Sequence, residues 1–422
     1  MTTPPARPFS WIAWAAAKLT ARRIRTHALL LAICLWGTVV VDYTVPGIFD
    51  RAGNIKFQDF LQFPISARLI AHGHADQLYD DHILARQMRT IVGRDTHVYL
   101  QYFYGPQVAV PFIPLAWLPF LIQAAIWAAV STAIYFGSLH LLWKRCAWLH
   151  PHRRLVTICA LAFPPLFHFW VRGQLSAIVL ACFTAAYLAF VAQRDLLAGL
   201  ALGLLAFKPQ FLVAIPLVLL LAGAWKMLGG LLISAAGQLT LTSLFFGRAV
   251  MNAYFTRLLH SASHPASTEL VFSPIQMHSL HSFWELLVPW RSGVWALYLL
   301  SSFAVIAITA AVWKSPASVP LRFSALLLAA VLVNPHMYVY DLVALVPGFL
   351  LLTDWLLANP QHRSRFALSL LLYLAFLLPL FGPLAYWTHL QLSVVVFAAI
   401  LWNLYRFATD SQKVAFAESA VV

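Results

Sequence analysis

A few short polar stretches interrupt a chain of 422 residues that is otherwise strongly apolar. They carry carboxylate, amide, basic and imidazole side chains, which are the types used for acid–base catalysis and anion binding. The stretches are Phe57-Gln58-Asp59-Phe60, Arg172-Gly173-Gln174, Lys208-Pro209-Gln210, Gln276 to His281 and Asn334 to Asp341. Carboxylates and histidines suit proton transfer, whereas Arg172 and Lys208 are fixed cations that suit a phosphate leaving group. The inventory therefore predicts group transfer from a phosphorylated donor.

Two histidines of the fourth stretch are candidates for metal binding. His278 and His281 are three residues apart, so on a helix they would share one face. A metal site needs further ligands, and the sequence offers no third one at a fixed spacing, so we predict no metal site. We also predict no cofactor, because the chain contains neither a Walker lysine motif nor a dinucleotide-binding glycine pattern. A donor activated by a lipid phosphate fits the sequence better than a soluble nucleotide.

The composition is that of an integral membrane protein. Hydrophobic residues make up 61% of the chain, charged residues only 10%, and the mean hydropathy is +0.77. Apolar blocks long enough to cross a hydrocarbon core of roughly 30 Å recur across residues 28–406. We predict one all-α polytopic membrane domain over that range. The basic residues behind the net charge of +14 are scattered at segment ends, so we expect no nucleic-acid partner.

Basic residues also indicate how the chain crosses the membrane. Residues 1–27 combine tryptophans with a cluster of arginines, which predicts a basic interfacial segment on the cytoplasmic surface. The short basic loops and the tail at 407–422 are predicted to be cytoplasmic as well. The long polar loops at 48–104 and 247–290 are then extracytoplasmic. The first of these loops carries Asp59.

Prolines break the apolar block that follows the first long loop. Four of them fall within residues 105–119, so we predict a re-entrant or broken segment there rather than a regular helix. Irregular backbone at membrane depth is tolerated only where it is buried or lines a cavity, so this segment should wall a binding site. About twelve spans are predicted in total. After the first span at 28–45, the later ones are expected near 155–170, 175–192, 195–208, 210–223, 228–246, 292–313, 321–334, 338–354, 366–386 and 388–406.

This threading places nearly all of the polar stretches near the same membrane face. Ionisable side chains at membrane depth cost a few kcal/mol each on insertion scales. A cluster that reaches one face from several separate loops is therefore best explained by a shared polar cavity. We predict that this cavity opens on the extracytoplasmic side.

Several motifs have a family resemblance. They are Asp59-Phe60 with Ala67-Arg68-Leu69, Gly73 and Tyr79-Asp80; Tyr102-Phe103-Tyr104-Gly105-Pro106 leading to Leu118-Pro119; Arg172-Gly173-Gln174; Ala198-Gly199 with Lys208-Pro209; and Asn334-Pro335-His336 with Tyr340-Asp341-Leu342. In type and order they resemble bacterial integral membrane glycosyltransferases of family 87, over most of the chain. The chain departs from the commoner Tyr-Pro-Pro form, since Gly105 and Gln107 flank Pro106 here.

The resemblance implies a GT-C architecture with a long extracytoplasmic first loop, in the bacterial inner (plasma) membrane. Within the family the chain is similar to mycobacterial mannosyltransferases of phosphatidylinositol mannoside synthesis. That similarity implies a polyprenyl-phosphate sugar donor, with mannose the expected hexose, and inversion at the anomeric carbon. The expected partners are this donor, a lipid or glycan acceptor, and membrane lipids.

The resemblance also suggests roles for individual residues. Asp59 matches the family's first-loop aspartate and is expected to be the general base, or the group that orients it, and His336 is expected to assist it. Lys208 and Arg172 are expected to stabilise the leaving phosphate, so Lys208→Ala should severely reduce turnover without unfolding the protein. The remaining expected substrate-binding residues are Gln174, Tyr104, His278, His281 and Asp341.

Two other functions remain open at this point. A transporter or flippase of lipid-linked sugars could also use a basic cavity among about twelve spans. Such a carrier should have polar residues toward both membrane faces, whereas this chain concentrates them on one. A polymerase or ligase of lipid-linked glycans would share the outer site.

Overall fold

The computed structural model of the protein describes residues 11–93, 101–263, 274–362 and 364–419. Some predicted segments lie partly outside the described residues. These parts are residues 1–10 of the predicted interfacial segment, 94–100 and 264–273 of the two predicted long loops, Arg363, and residues 420–422 of the predicted tail. The described part of the chain is helical and has no strand beyond two isolated bridges. The prediction of an all-α chain is therefore confirmed.

The α-helices of the described residues are numbered in chain order. They are α1 (Trp11–Ala17), α2 (Ala21–Tyr43), α3 (Gln62–Ala71), α4 (Asp81–Val92), α5 (Phe120–Trp143), α6 (Arg153–Leu161), α7 (Pro164–Arg172), α8 (Ser176–Val191), α9 (Asp195–Gly203), α10 (Ile215–Ala222), α11 (Trp225–Ser263), α12 (Leu280–Leu287), α13 (Arg291–Lys314), α14 (Val319–Leu332), α15 (Val346–Ala358), α16 (Arg365–Leu377), α17 (Leu384–Thr388) and α18 (Leu392–Ser419). Short 3₁₀ helices connect them at Gln58–Leu61, Ala75–Gln77, Pro106–Leu115, Ala147–His152, Leu204–Phe207, Pro209–Leu212, Pro274–Gln276, Val339–Leu345 and Leu378–Phe381.

Within the described ranges, six helical segments are long and apolar enough to cross a membrane. A seventh candidate arises if the segment Ala147–Leu161 and α7, which are bent by 48° at their junction, form one span. The other apolar helices are shorter, at 10–17 residues, because prolines, glycines and 3₁₀ turns interrupt them. The multi-pass membrane character is therefore clear, and the number of about twelve spans stays a prediction.

The first span begins earlier than the sequence suggested. A single interfacial segment was expected to reach residue 27, but the chain turns after α1, and α2 begins at Ala21. Thr20 causes this start, because its hydroxyl accepts a hydrogen bond from the backbone nitrogen of Arg23 at 3.3 Å, as an N-cap does. The arginine cluster of α2 therefore lies on the first turns of the spanning helix itself.

The proline-rich segment is broken as predicted. Pro106–Leu115 forms a 3₁₀ helix that contains Pro111 and Pro114, and the regular helix α5 starts only after Pro119. This segment packs against α3 and α11. It thereby brings Tyr104, two residues before it, against Phe63 of α3, the helix that follows Asp59.

Glycines allow α9 and α11 to pack closely. A Cβ atom on Gly199 or Gly230 would collide with backbone atoms of the facing helix, so only glycine permits this approach. The contact fixes α9 and the short 3₁₀ turn after it, which ends immediately before Lys208. Close helix packing thus determines where this lysine lies.

Helix α11 continues into the region predicted to be the second long loop. Gly247, with φ +81°, kinks the helix, which then continues to Ser263 instead of ending near residue 246. The part after the kink docks on the first loop through Arg257, whose guanidinium contacts both carboxylate oxygens of Asp81 at 2.8 and 2.9 Å. The two predicted loops are therefore joined by an ion pair.

Candidate active site

Local backbone geometry determines the position of Asp59. Phe57 adopts a left-handed conformation, with φ 53°, and thereby turns the chain into the 3₁₀ helix that carries Asp59. Gly173 lies against this turn with φ +71°, and a Cβ there would be 2.5 Å from the Cβ of Phe60. The glycine of the Arg172-Gly173-Gln174 motif therefore lets two loops meet.

Asp59 contacts both polar neighbours of Gly173. An Arg172 guanidinium nitrogen lies 3.6 Å from Oδ1 of Asp59, and the Gln174 side-chain amide donates to Oδ2 at 2.7 Å. The Asp59 side chain is 19% exposed and that of Arg172 is 39% exposed, so the pair lies at an accessible edge. The carboxylate is thus held in place and remains reachable from outside.

Tyr104 connects this pair to the interior. Its phenol donates a hydrogen bond to Oε1 of Gln174 at 3.2 Å, so a relay runs from Tyr104 through Gln174 to Asp59. Burial raises the pKa of Tyr104 well above its usual value, and the negative charges of Asp341 and Asp59 raise it further. The phenol therefore stays protonated and acts as a hydrogen-bond donor between the two carboxylates.

Lys208 and Asp341 form the second half of the site. The Lys208 ammonium lies 2.7 Å from Oδ1 of Asp341, and both side chains are only 2% exposed. The Ser176 hydroxyl donates to the same oxygen at 2.6 Å. An ammonium has three N–H donors, and this contact uses one of them.

Aromatic rings surround the lysine. Its Nζ lies 5.9 Å from the ring centre of Tyr104 and 5.4 Å from that of Tyr340, close enough for cation–π attraction. Tyr340 stacks on Tyr338 with 5.3 Å between ring centres. Burial raises the pKa of Tyr338, with a further contribution from the negative charge of Asp59. These rings close the space between the Asp59 pair and the Lys208 pair.

An apolar cavity of about 340 Å³ lies beside the chain segments that carry Gln174 and Lys208. Its lining includes Leu175 and Phe207, the chain neighbours of Gln174 and Lys208, as well as Trp127 of α5. Gln107 of the proline-rich segment also lines it, and the side-chain carbonyl of Gln107 has no hydrogen-bond partner among the described residues. The proline-rich segment therefore walls a cavity, and that this cavity is a binding site stays a prediction.

The histidines form a separate cluster. The rings of His281 and His336 are 6.5 Å apart, and Nδ1 of His281 lies 3.7 Å from Glu285. His278 precedes α12 instead of sharing a helix face with His281, and its Nδ1 lies 2.7 Å from the Ser393 hydroxyl. Burial, and then the charge of His281, lowers the pKa of His336 to about 4, so this imidazole is neutral at pH 7.

The structure thus brings six of the nine predicted site residues into one network, and the three histidines into a neighbouring cluster. The network residues are Asp59, Tyr104, Arg172, Gln174, Lys208 and Asp341. Sequence reasoning missed Ser176 and assigned no site role to Tyr338 or Tyr340. Ser176 had a detectable signal, since it is a polar residue at the very start of an apolar span and two residues after Gln174.

The fold and the site define a class. The protein is a multi-pass membrane protein in which polar loops between its helices converge on one site, and an apolar cavity lies beside that site. Residues 102–337, more than half of the chain, match Glycosyltransferase family 87, and the chain belongs to that family. No curated protein and no solved structure matches the chain.

The matched range divides the site. It contains Tyr104, Arg172, Gln174, Lys208 and the three histidines, whereas Asp59 and Asp341 lie outside it. The two carboxylates are therefore tied to the family region by their contacts with Arg172, Gln174 and Lys208.

Proposed function

We propose that this membrane glycosyltransferase moves a hexose, with mannose the expected sugar, from a polyprenyl-phosphate donor to a lipid or glycan acceptor. The observation that carries the proposal is the juxtaposition of three features: a partly exposed carboxylate held by Arg172 and Gln174, a buried lysine, and an apolar cavity beside the segments that carry Gln174 and Lys208. In a lipid-linked sugar phosphate the phosphate matches the lysine and the lipid chain matches the cavity, while the carboxylate suits the hydroxyl of the acceptor.

The cations support a phosphate leaving group. Lys208 has N–H donors beyond the one used on Asp341, and Arg172 is exposed enough to reach a ligand. A developing negative charge in a site shielded from water is stabilised by such fixed donors, and removing one costs on the order of a hundredfold in rate. The cavity lined by Leu175 and Phe207 would take the first isoprene units of the donor.

The proposed reaction is a single in-line displacement. The acceptor hydroxyl loses its proton to Asp59 while its oxygen forms a bond to the anomeric carbon. The bond from that carbon to the phosphate oxygen breaks, and the electron pair leaves with the polyprenyl phosphate, so the anomeric configuration inverts. Arg172 and Gln174 hold the Asp59 carboxylate in one orientation during this step.

We assign the proton to Asp59 instead of His336. Asp59 belongs to the same contact network as the two cations, whereas the ring of His336 lies next to His281. We propose that the histidine cluster, with His278 and His281, contacts the acceptor.

The architecture we propose is of the GT-C type with about twelve spans. Seven long candidates, counting the bent pair once, together with five of the six shorter apolar helices would give that number. The sixth, Pro106–Leu115, would be the re-entrant element. In this arrangement the Asp59 network faces the extracytoplasmic side of the bacterial inner membrane, because the basic segment ends fall on the opposite side.

The test is a donor comparison with the purified full chain in detergent. We expect transfer of labelled mannose from polyprenyl-phosphate mannose to membrane lipids, and none from a nucleotide-linked mannose. Transfer from the nucleotide sugar alone would refute the lipid-phosphate donor. If neither donor worked but the protein moved lipid-linked sugar across liposomes, the carrier alternative would replace the proposal.

A further inference from the structure

A second and larger cavity, of about 590 Å³, lies far from the Asp59 network. Helix α2 connects the two places. Ile24 and His27 near its start line this cavity, and Tyr43 at its end donates a hydrogen bond to the carbonyl of Val171, next to Arg172. The 23 residues of α2 rise about 35 Å, comparable to the apolar thickness of a bilayer. The cavity and the candidate active site are therefore near opposite membrane faces.

The interior of this cavity is apolar. Its walls come from α1, α2, α5, α6, α15 and α16, and Leu139, Phe163 and Phe376 are representative lining residues. Its volume lies within the range of about 300–1,000 Å³ that is usual for small-molecule sites. Such a space suits a hydrocarbon chain.

The end of the cavity that faces away from the candidate active site is basic. Three of its wall helices begin at that end with arginines: α2 with Arg22, Arg23 and Arg25, α6 with Arg153 and Arg154, and α16 with Arg365. Arg365 lines the cavity, and the other five are exposed at the surface. Among the described residues, no carboxylate lines the cavity. The nearest acid in sequence is Asp354 of α15, which accepts a hydrogen bond from the backbone nitrogen of Leu149 at 3.0 Å.

Helix α1 places this basic end at the level of lipid headgroups. It packs against α16 and carries Trp11 and Trp14, both exposed. Exposed tryptophans on a short helix beside basic residues are typical of the membrane–water interface. A ligand that enters at this level comes from the lipid layer.

We propose that this cavity binds an anionic phospholipid from the leaflet opposite the candidate active site. One acyl chain occupies the apolar interior, and the phosphate contacts Arg365, the arginine in the cavity lining. Arg365 uses one N–H donor on the carbonyl of Pro360, at 2.8 Å, and a guanidinium has five. Charge selects the lipid class. The described lining of the cavity contains an arginine and no carboxylate, so it attracts an anionic headgroup more strongly than a zwitterionic one.

The experiment measures lipid retention by native mass spectrometry of the delipidated full chain. Phosphatidylglycerol and phosphatidylcholine with identical acyl chains are compared, together with glycerol phosphate as a soluble headgroup without chains. We expect phosphatidylglycerol to bind at least about five-fold more tightly than phosphatidylcholine, since one arginine near an anionic surface has about that effect. Glycerol phosphate should not be retained.

Variants separate the headgroup contact from the chain contact. Arg365→Gln should remove most of the preference for phosphatidylglycerol, whereas Lys226→Gln, which changes an exposed lysine that does not line the cavity, should leave it intact. Thr353→Phe fills the cavity and should weaken both lipids, and Leu299→Phe on exposed α13 surface is its control. Cys159→Phe replaces Thr353→Phe if that variant does not fold.

Two results would overturn the proposal. One is equal retention of phosphatidylcholine and phosphatidylglycerol by the wild-type chain. The other is unchanged retention in a folded cavity-filling variant, which would mean that lipid binds elsewhere on the surface.

Discussion

The Lys208–Asp341 pair allows a quantitative test of the site. At 2.7 Å and an effective dielectric constant of about 20, the attraction between the two charges is about 6 kcal/mol before desolvation is subtracted. Because both side chains are 2% exposed, removing one leaves the other buried without its counter-charge, which costs about 3–5 kcal/mol. We therefore expect Lys208→Met and Asp341→Asn each to lower the free energy of unfolding by that amount.

The double variant separates stability from chemistry. With both charges removed, most of the lost stability should return, because no uncompensated charge stays buried. Transfer activity should stay down by on the order of a hundredfold, because the phosphate has lost a cation. Denaturant unfolding in detergent, followed by tryptophan fluorescence, measures the first quantity, and sugar transfer measures the second.

Two results would refute this reasoning. A loss below about 1 kcal/mol for Lys208→Met would match an exposed ion pair rather than a buried one. A double variant no more stable than the single variants would show that the two charges do not interact. The sequence-based expectation that loss of Lys208 leaves the fold unharmed took no account of this pair.

Three further predictions concern positions with matched controls or a clear pH signature. Gly173→Ala should destabilise the protein by about 1–3 kcal/mol and impair transfer, because its Cβ would collide with Phe60. The control is Gly73→Ala, where φ is also positive but the surrounding space is open. In the same unfolding assay this control should show only the cost of placing alanine at a positive φ. Gly230→Ala should reduce thermal stability and yield by separating α9 from α11, whereas Gly229→Ala, with no atom within 4 Å, should be nearly neutral. Burial, and then the charge of His168, lowers the pKa of His278 to about 3 from an unfolded value near 6.5, so the unfolded chain takes up the proton first as pH falls. The contribution of His278 to stability, fully present above pH 6.5, should therefore fall by about 2 kcal/mol by pH 5, and the decline measured for His278→Gln should be smaller than that of the wild-type chain by this amount.

Much of the helix pattern could be predicted from the sequence. The spans predicted at 175–192 and 292–313 correspond to α8 and α13, because long apolar runs with polar ends determine both length and boundaries. The helix after Gly247 was not predicted, because its mixed composition resembles a polar loop. Its stability depends on docking to Asp81, a residue far away in sequence.

The site was predicted at the level of loops but not of contacts. Polar stretches at the same ends of neighbouring helices had to lie near one another, which is why Asp59, Arg172 and Lys208 were expected together. The pairing of Lys208 with Asp341 spans 133 positions, and no local pattern encodes it. The separation of His336 into a cluster with His281 likewise depends on how α12, α13 and the loop after α14 pack.

The most direct test of the central claim is the rate of sugar transfer from polyprenyl-phosphate mannose by the Asp59→Asn protein. The substitution keeps the shape of the side chain but removes the proton acceptor, so we expect a loss of on the order of 10²–10⁴-fold in a folded protein. Asp76→Asn, which changes an exposed carboxylate of the same loop, should transfer sugar at the wild-type rate. Near-wild-type transfer by the Asp59→Asn protein would contradict the assignment of Asp59 as the general base.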